Sequence, residues 1–431
     1  MLSFIGLITI LLIVAILLRG KLIPVIPLVL IPIIAAFAAG FNFAEIGEFF
    51  NEGISGVINV VIMFVFAILY FGIMQNAGLF DPLINKMIQL TQGNVMTISM
   101  GTVIIAAVAQ LDGSGASTFL ITIPALLPLY QRMKMNPYLL LLLIGGSASV
   151  MNMLPWAGPL GRAASVLDMD VTELWRPLIP VQIIGMVLML ILAFLIGFAE
   201  KKRIERRHGT ISENVDEFIA VNTGTQKTST KLLWFNFILT VLVIATLVWG
   251  VIPAGFAFMI GVSIALPVNF RTMDEQNKSI RAHAPNALTM GAIILAAGSF
   301  LGILTGTGML DSIAADTVKV IPQAIEPYIH LIIGFFGVPF DLLLSTDAYY
   351  FALLPVVEQI GTTFGISSLA IAYAMIIGNI VGTFVSPFSP ALWLALGLAK
   401  LEMGKHIKYS FFWLWGVGIV LLIIAFFMGL V

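Results

Sequence analysis

Three aspartates lie inside stretches of the chain that are otherwise apolar, and each stands near hydroxyl side chains. Asp112 opens Asp112-Gly113-Ser114-Gly115-Ala116-Ser117-Thr118, set between Val103-Ile104-Ile105-Ala106-Ala107 and Phe119-Leu120-Ile121. Asp341 and Asp347 flank Ser345-Thr346 in a second apolar region. A charge within a membrane segment costs at least ~2.5 kcal/mol on insertion scales, so its presence there points to a function. The chemistry open to these carboxylates is reversible binding of a proton or a cation, because desolvation moves a carboxyl toward the range where it can load and release. For Asp112 a second reading stands beside this one, a cap for the helix that follows Gly113.

Two further segments carry backbone rather than side-chain chemistry. The run from Ser147 to Arg162 contains Asn152, Pro155, Gly158, Pro159 and Gly161, and its counterpart runs from Asn379 through Gly382-Thr383 to Ser386-Pro387-Phe388-Ser389-Pro390. Proline and glycine at this density break a helix. Freed carbonyls can coordinate a cation, and the amides opening the next helix can hold a carboxylate. Four helix starts, from two tips and two breaks, suit an anion with several carboxylates and little fixed positive charge. Arg162 is the lone basic residue just after the first break; it either meets a carboxylate bidentately or pairs with Asp168 or Asp170. The candidate ligand set is therefore Ser114, Ser117, Thr118, Asn152, Gly158, Arg162, Ser345, Thr346, Asn379, Thr383, Ser386 and Ser389. Asp112, Asp341 and Asp347 are the candidate proton or cation sites, and no set of metal ligands is assigned.

Other conspicuous residues have plainer readings. His330 reads as a buried neutral histidine, and His208, His283 and His406 as solvated residues of basic loops. Trp175, Trp249 and Trp413 fall near span ends, where interfacial aromatics sit, whereas Trp156 lies inside a break and could line a site. The absence of Cys excludes disulfides and thiolate chemistry. Phosphate-loop and dinucleotide fingerprints are missing, which argues against ATP coupling within the chain. A net charge of -1 offers nothing to a nucleic acid.

These residues have to be positioned by membrane helices. Charged residues make up 10% of the chain and hydrophobic ones 60%, against about 25% charged in an average soluble domain. Roughly 20 apolar residues cross a bilayer, and full-length candidates fall at about 2–19, 22–40, 55–76, 138–165 and 177–199, then 232–250, 252–270, 286–306, 366–398 and 410–430. Val95 to Leu129 and Pro322 to Val357, each interrupted by its polar tip, read as re-entrant hairpins, since non-helical backbone at that depth needs protein or a wet cavity around it. Gly53, Gly56, Gly298 and Gly302 are small residues where helices can approach closely.

The pattern occurs twice. Gly78-Leu79-Phe80-Asp81 returns as Gly308-Met309-Leu310-Asp311, Gly20 as Gly250, Ala125-Leu126-Leu127-Pro128 as Ala352-Leu353-Leu354-Pro355, and Gly146-Ser147 as Gly378-Asn379. Five crossings per copy, an odd number, invert the second copy relative to the first, as in many secondary transporters. The expectation is an all-α polytopic membrane protein of two inverted repeats, 1–199 and 232–431, joined by a cytoplasmic linker, 200–231. Each repeat holds three helices, a re-entrant hairpin, a broken helix and a final helix. With the linker inside, all but Arg162, Arg176 and Lys319 of the 21 basic residues fall on the cytoplasmic side, in line with the positive-inside rule.

On Tyr70-Phe71-Gly72-Ile73-Met74, Gly78-Leu79-Phe80-Asp81-Pro82, Leu111-Asp112-Gly113 leading to Ser117-Thr118, Ala125-Leu126-Leu127-Pro128-Leu129-Tyr130 and Gly158-Pro159 before Arg162-Ala163-Ala164, the chain resembles the citrate/metal symporter family, CitMHS, of the ion-transporter superfamily. The resemblance implies uptake of citrate as a complex with a divalent cation such as magnesium, in symport with protons, across the cytoplasmic (inner) membrane. More distantly the plan resembles the sodium/dicarboxylate transporters, which implies a homodimer and an elevator motion of the hairpin domain. The divalent cation would then be part of the transported complex, with no fixed cofactor and no enzymatic activity. The rival within the transport class is sodium- or proton-coupled uptake of another organic anion, a dicarboxylate or gluconate-like acid. Outside that class stand a channel, an anion-sensing receptor or an intramembrane hydrolase.

Overall fold

The computed structural model describes residues 1–19, 21–80, 82, 86, 94–208, 229–319, 321–322 and 324–431. Gly20, Asp81 and most of the expected linker, 209–228, lie outside the described residues. Within them the chain is helical, and one order of elements occurs twice. In the first half α1 (Leu2–Arg19), α2 (Val25–Ala38) and α3 (Phe43–Asn76) precede a hairpin of α4 (Val95–Ala109) and α5 (Gly115–Arg132). The two halves of a broken helix follow, α6 (Pro137–Met151) and α7 (Gly158–Val166), and the short α8 (Val171–Trp175) leads into α9 (Ile179–His208).

In the second half α10 (Thr230–Trp249), α11 (Ala254–Asn269) and α12 (Met273–Gly306) are followed by α13 (Met309–Val318). The second hairpin has a first arm in two pieces, α14 (Ile329–Phe335) and α15 (Gly337–Asp341), and a second arm that starts as a π-helical stretch, Ala348–Leu353, and continues as α16 (Leu354–Thr363). The second broken helix is α17 (Ser368–Ile380) and α18 (Pro390–Ala399), and α19 (Met403–Phe427) closes the chain. Among the described residues six helical segments are long and apolar enough to cross a membrane: Phe43–Asn76, Val95–Asp112, Val171–Arg206, Thr230–Trp249, Met273–Gly306 and Met403–Phe427. Exposed Ile183, Val187, Ile191 and Leu195 form an i, i+4 stripe on α9 that suits lipid contact. The protein is a multi-pass membrane protein.

The third helix of each half begins about a dozen residues before its apolar run. At α3 the Asn42 side chain accepts from Glu45 N while Glu45 accepts from Asn42 N; at α12 Thr272 and Glu275 do the same. These reciprocal caps satisfy otherwise orphaned amides. They make both helices 34 residues long, about 51 Å at 1.5 Å per residue and well over the ~30 Å bilayer core. Both helices end in the same manner, at Gly78 (φ 73°) and Gly308 (φ 70°), a left-handed conformation that favours glycine.

α3 and α12 run against each other through glycines. A Cβ on Gly53 would lie 2.8 Å from Gly302 Cα, and one on Gly302 would strike the Phe49 carbonyl. Gly56 differs from its expected role, because it faces the Asp168 carboxylate rather than a helix backbone. The halves also interleave: α12 packs on α2 and α3 on α11, while α5 packs on α18 and the π-helical stretch on α7. Each hairpin therefore packs on the broken helix of the other half as well as on that of its own.

Candidate functional site

The tip of the first hairpin is a tight reversal. One turn of 3-10 helix, Gln110–Asp112, closes α4, and Gly113 (φ 72°) turns the chain back. The cap of α5 is Ser114, whose hydroxyl accepts from Ser117 N at 3.5 Å, so the capping reading of Asp112 gives way. Asp112 instead accepts the Ser114 amide on Oδ1 at 2.8 Å, its side chain folded over the turn. Behind the tip Gln110 is fully buried; its amide donates to Asn152 Oδ1 (2.8 Å) and its carbonyl accepts from Thr118 (2.6 Å). Trp156 Nε1 donates to Leu111 O at 2.8 Å and its ring stacks on Phe71. These bonds fasten the tip to the first break, where Gly158-Pro159 opens α7 with proline in the first turn, the position that needs no amide hydrogen.

In front of this tip is a cavity of about 320 Å³. Asp112, Ser114, Ser117 and Gly158 line it together with Trp156, and the facing wall is α3 (Phe64, Ile68, Gly72) and α12 (His283, Asn286, Thr289, Met290, Ile293). The beginnings of α5 and α7 both reach it, so amides of two helix starts border a space that also holds a carboxylate. Sequence reasoning missed the α12 contribution. His283, expected in a solvated loop, is half-buried in α12, in contact with Gly72, with Nε2 3.1 Å from Asn76 Nδ2. The Thr272–Glu275 cap was the available signal, since a helix starting there puts 283, 286, 290 and 293 on one face.

The second hairpin is arranged differently. Asp341 ends the first arm and is 2% exposed; Ser345 caps the second arm, accepting from Ala348 N at 3.2 Å. Asp347 accepts from Arg162 Nε at 2.7 Å, with side chains 15% and 10% exposed respectively. Arg162 thus pairs across the two halves and not with its sequence neighbours: Asp170 caps α8 through Thr172 N and Glu173 N, and Asp168 packs on Gly56. Arg162 Nη1 also lies so near Gly158 that a Cβ there would collide with it. Pro355 explains the wide π turn before it, because its ring displaces the preceding carbonyls and it has no amide to donate.

The remaining candidates lie in the second break. Asn379 donates to Gly337 O at 3.2 Å, matching Ser147, which donates to Val103 O at 2.7 Å. Both residues tie a broken helix to the first arm of its own hairpin. Thr383 donates to Ile380 O, Ser386 accepts from Phe388 N, and Ser389 precedes α18 without a side-chain cap. Thr346 is half-buried at the tip. None of these, nor Thr118 or Asn152, lines the cavity at Asp112. Two aromatic and histidine expectations are corrected: Trp175 is buried against Trp156 and donates to Gln182, and His406 is buried with Nε2 3.0 Å from Phe384 O.

A family model described as citrate transporter, CitMHS, matches residues 2–378. The chain belongs to the CitMHS citrate transporter family. Among its relatives, a Bacillus subtilis citrate transporter is 36% identical over the whole of both chains. A Mg(2+)/citrate complex secondary transporter of the same organism is 37% identical over 100% of this chain and 99% of that one. CitMHS proteins are transporters and not enzymes. The crystal structure of the Alcanivorax borkumensis YdaH transporter covers 90% of each chain with a TM-score of 0.63 and 14% identity, a likeness of fold alone.

Proposed function

We propose that the protein is a secondary active transporter that imports citrate as a complex with a divalent cation, in symport with protons. The observation that carries this reading is the end-to-end 37% identity to a Mg(2+)/citrate complex transporter. The cavity chemistry supports it. Free citrate would meet the Asp112 carboxylate with like charge, whereas a bound divalent cation cancels most of the ligand's charge and presents a cation to Asp112. Among the described residues no three His, Cys, Asp or Glu side chains converge as a metal site, so the cation would arrive with oxygen ligands from citrate and water, as magnesium prefers. Ser114, Ser117 and the amides at the starts of α5 and α7 hold the complex at the first tip. Asn152 and Thr118 act from behind through Gln110, and the residues of the second tip and break form the corresponding half of the route.

In this reading the repeats, 1–199 and 232–431, are inverted about the linker 200–231, the hairpins re-enter from opposite faces, and a homodimer works by an elevator motion. The test is citrate uptake into vesicles reconstituted with the full chain, with Mg, Ca, Mn or Zn or with chelator, and with the proton gradient imposed or collapsed. Uptake is expected to need both a divalent cation and the gradient; equal uptake with chelator present refutes the complex. Asp112→Asn, which removes a charge-assisted contact of about 1.5–3 kcal/mol, should lower metal-citrate uptake ~10- to 100-fold, and undiminished uptake would remove Asp112 from the site.

A further inference from the structure

Asp341 is a buried carboxyl with one oxygen unaccounted for. Its Oδ2 has no hydrogen-bond partner among the described residues, and it presses on Gly382 in the second break so closely that a Cβ there would collide with it. Asn379 reaches the carboxyl from α17. The neighbouring Tyr350 hydroxyl, fully buried in the π-helical stretch, is also without a partner. Among the described residues, no cation in the groups facing it is free to compensate a charge here. Arg162, facing from α7, is committed to Asp347. Tyr349 donates to Met375 O, and His406 on α19 is bound to Phe384 O. His330, at the far end of the same arm, is buried with Nδ1 unpaired. An ionised carboxylate in this setting would bear its desolvation uncompensated. A bound metal ion would need several oxygen ligands around it, and backbone already occupies the space beside Oδ2. A proton needs no volume.

We propose that Asp341 carries the coupling proton, held as a neutral acid while the second hairpin is docked on its break and ionised when the two separate. Asp347 is already engaged in the ion pair with Arg162 and is not assigned this role. The first hairpin differs: its tip carboxyl, Asp112, accepts the Ser114 amide and lines the cavity, and Gln110 behind it is neutral and bonded at both ends. The inference rests on the proton-symport reading, and the test separates the two.

Full-length Asp341→Asn, Asp341→Glu and Asp347→Asn proteins are compared in vesicles with magnesium and labelled citrate. Asp341→Asn copies the neutral acid, so exchange of labelled for unlabelled Mg-citrate is expected to persist with a flattened pH profile, while accumulation driven by a proton gradient falls to the equilibrium level. Asp341→Glu is expected to retain some uphill accumulation. Uphill accumulation by Asp341→Asn overturns the proposal, as does loss of exchange together with accumulation in a monodisperse preparation. An independent readout needs no substrate. Infrared difference spectra on raising the pH should lose a protonated-carboxyl band in Asp341→Asn and keep it in Asp347→Asn; the same band in both variants overturns the assignment. Absence of Mg-citrate transport by the wild type, with that band assigned to Asp341, would instead refute the proposed substrate and leave the proton site standing.

Discussion

Neutralising Arg162 alone should undock the second hairpin. Arg162 Nε and Asp347 Oδ1 are 2.7 Å apart and their side chains are 10% and 15% exposed, so removing one partner leaves the other largely buried and unpaired. Breaking such a pair costs about 3–5 kcal/mol. The residual exposure of Asp347 lets some water reach it, which places the cost near the lower end, ~3 kcal/mol, or roughly a 100-fold shift toward the open hairpin at about 1.4 kcal/mol per decade. Arg162→Met and Asp347→Leu should each show it. The double variant removes both charges and keeps apolar volume, so it should recover most of the loss, with a coupling of about 2 kcal/mol between the sites. Amide hydrogen exchange across 341–353 in the purified protein reads the opening directly. Additive effects in the double variant would refute the ion pair as the element holding the hairpin.

Two further expectations follow from packing. Gly302→Val forces α3 and α12 apart at the Phe49 carbonyl and should lower the thermal midpoint in detergent or prevent recovery of monodisperse protein. Gly291→Ala, whose Cβ would meet Val61 at an ordinary 3.4 Å, should not, and equal midpoints would contradict the crossing. Trp156→Phe keeps a ring against Phe71 but strands the Leu111 carbonyl, at a cost of about 1 kcal/mol. Trp156→Ala adds a cavity and should cost ~3–5 kcal/mol by thermal or denaturant unfolding, so a similar loss in both variants would place the role of Trp156 in its hydrogen bond rather than its ring.

Local punctuation was legible and distant pairing was not. Gly113, Gly158-Pro159 and Pro390 mark the first tip and the two breaks because a turn or a helix start is decided within a few residues. The apolar runs likewise locate the helices. Their true starts do not follow hydropathy, and α12 shows why: Lys278 and Arg281 lie on exposed helical turns ahead of the apolar run, and the Thr272–Glu275 cap sets the end. Sequence proximity favoured Asp168 or Asp170 as the partner of Arg162. The actual partner is 185 residues away, a choice made by the packing of α7 on the second hairpin. Nothing short-range in the sequence encodes it.

That pairing bears on how the halves communicate. Gly158 lines the cavity beside Asp112, Arg162 lies one turn further along α7 with Nη1 against Gly158, and Arg162 Nε holds Asp347 at the other hairpin. A Cβ at position 158 would collide with Arg162 Nη1, so the glycine is what lets the guanidinium pack against the start of α7 and still grip the second tip. On the proposed transport cycle, a ligand settling against the start of α7 acts on the same short helix that holds the second hairpin closed. Reaching Asp341 from water requires that hairpin to leave its break. Substrate site, ion pair and proposed proton site are therefore joined by one helix of nine residues, and the sense of coupling depends on whether ligand strengthens or weakens the grip of Arg162 on Asp347. Hydrogen exchange across 341–353, measured with and without Mg-citrate, distinguishes the two: slower exchange with ligand means that loading locks the second hairpin, and faster exchange means that loading releases it.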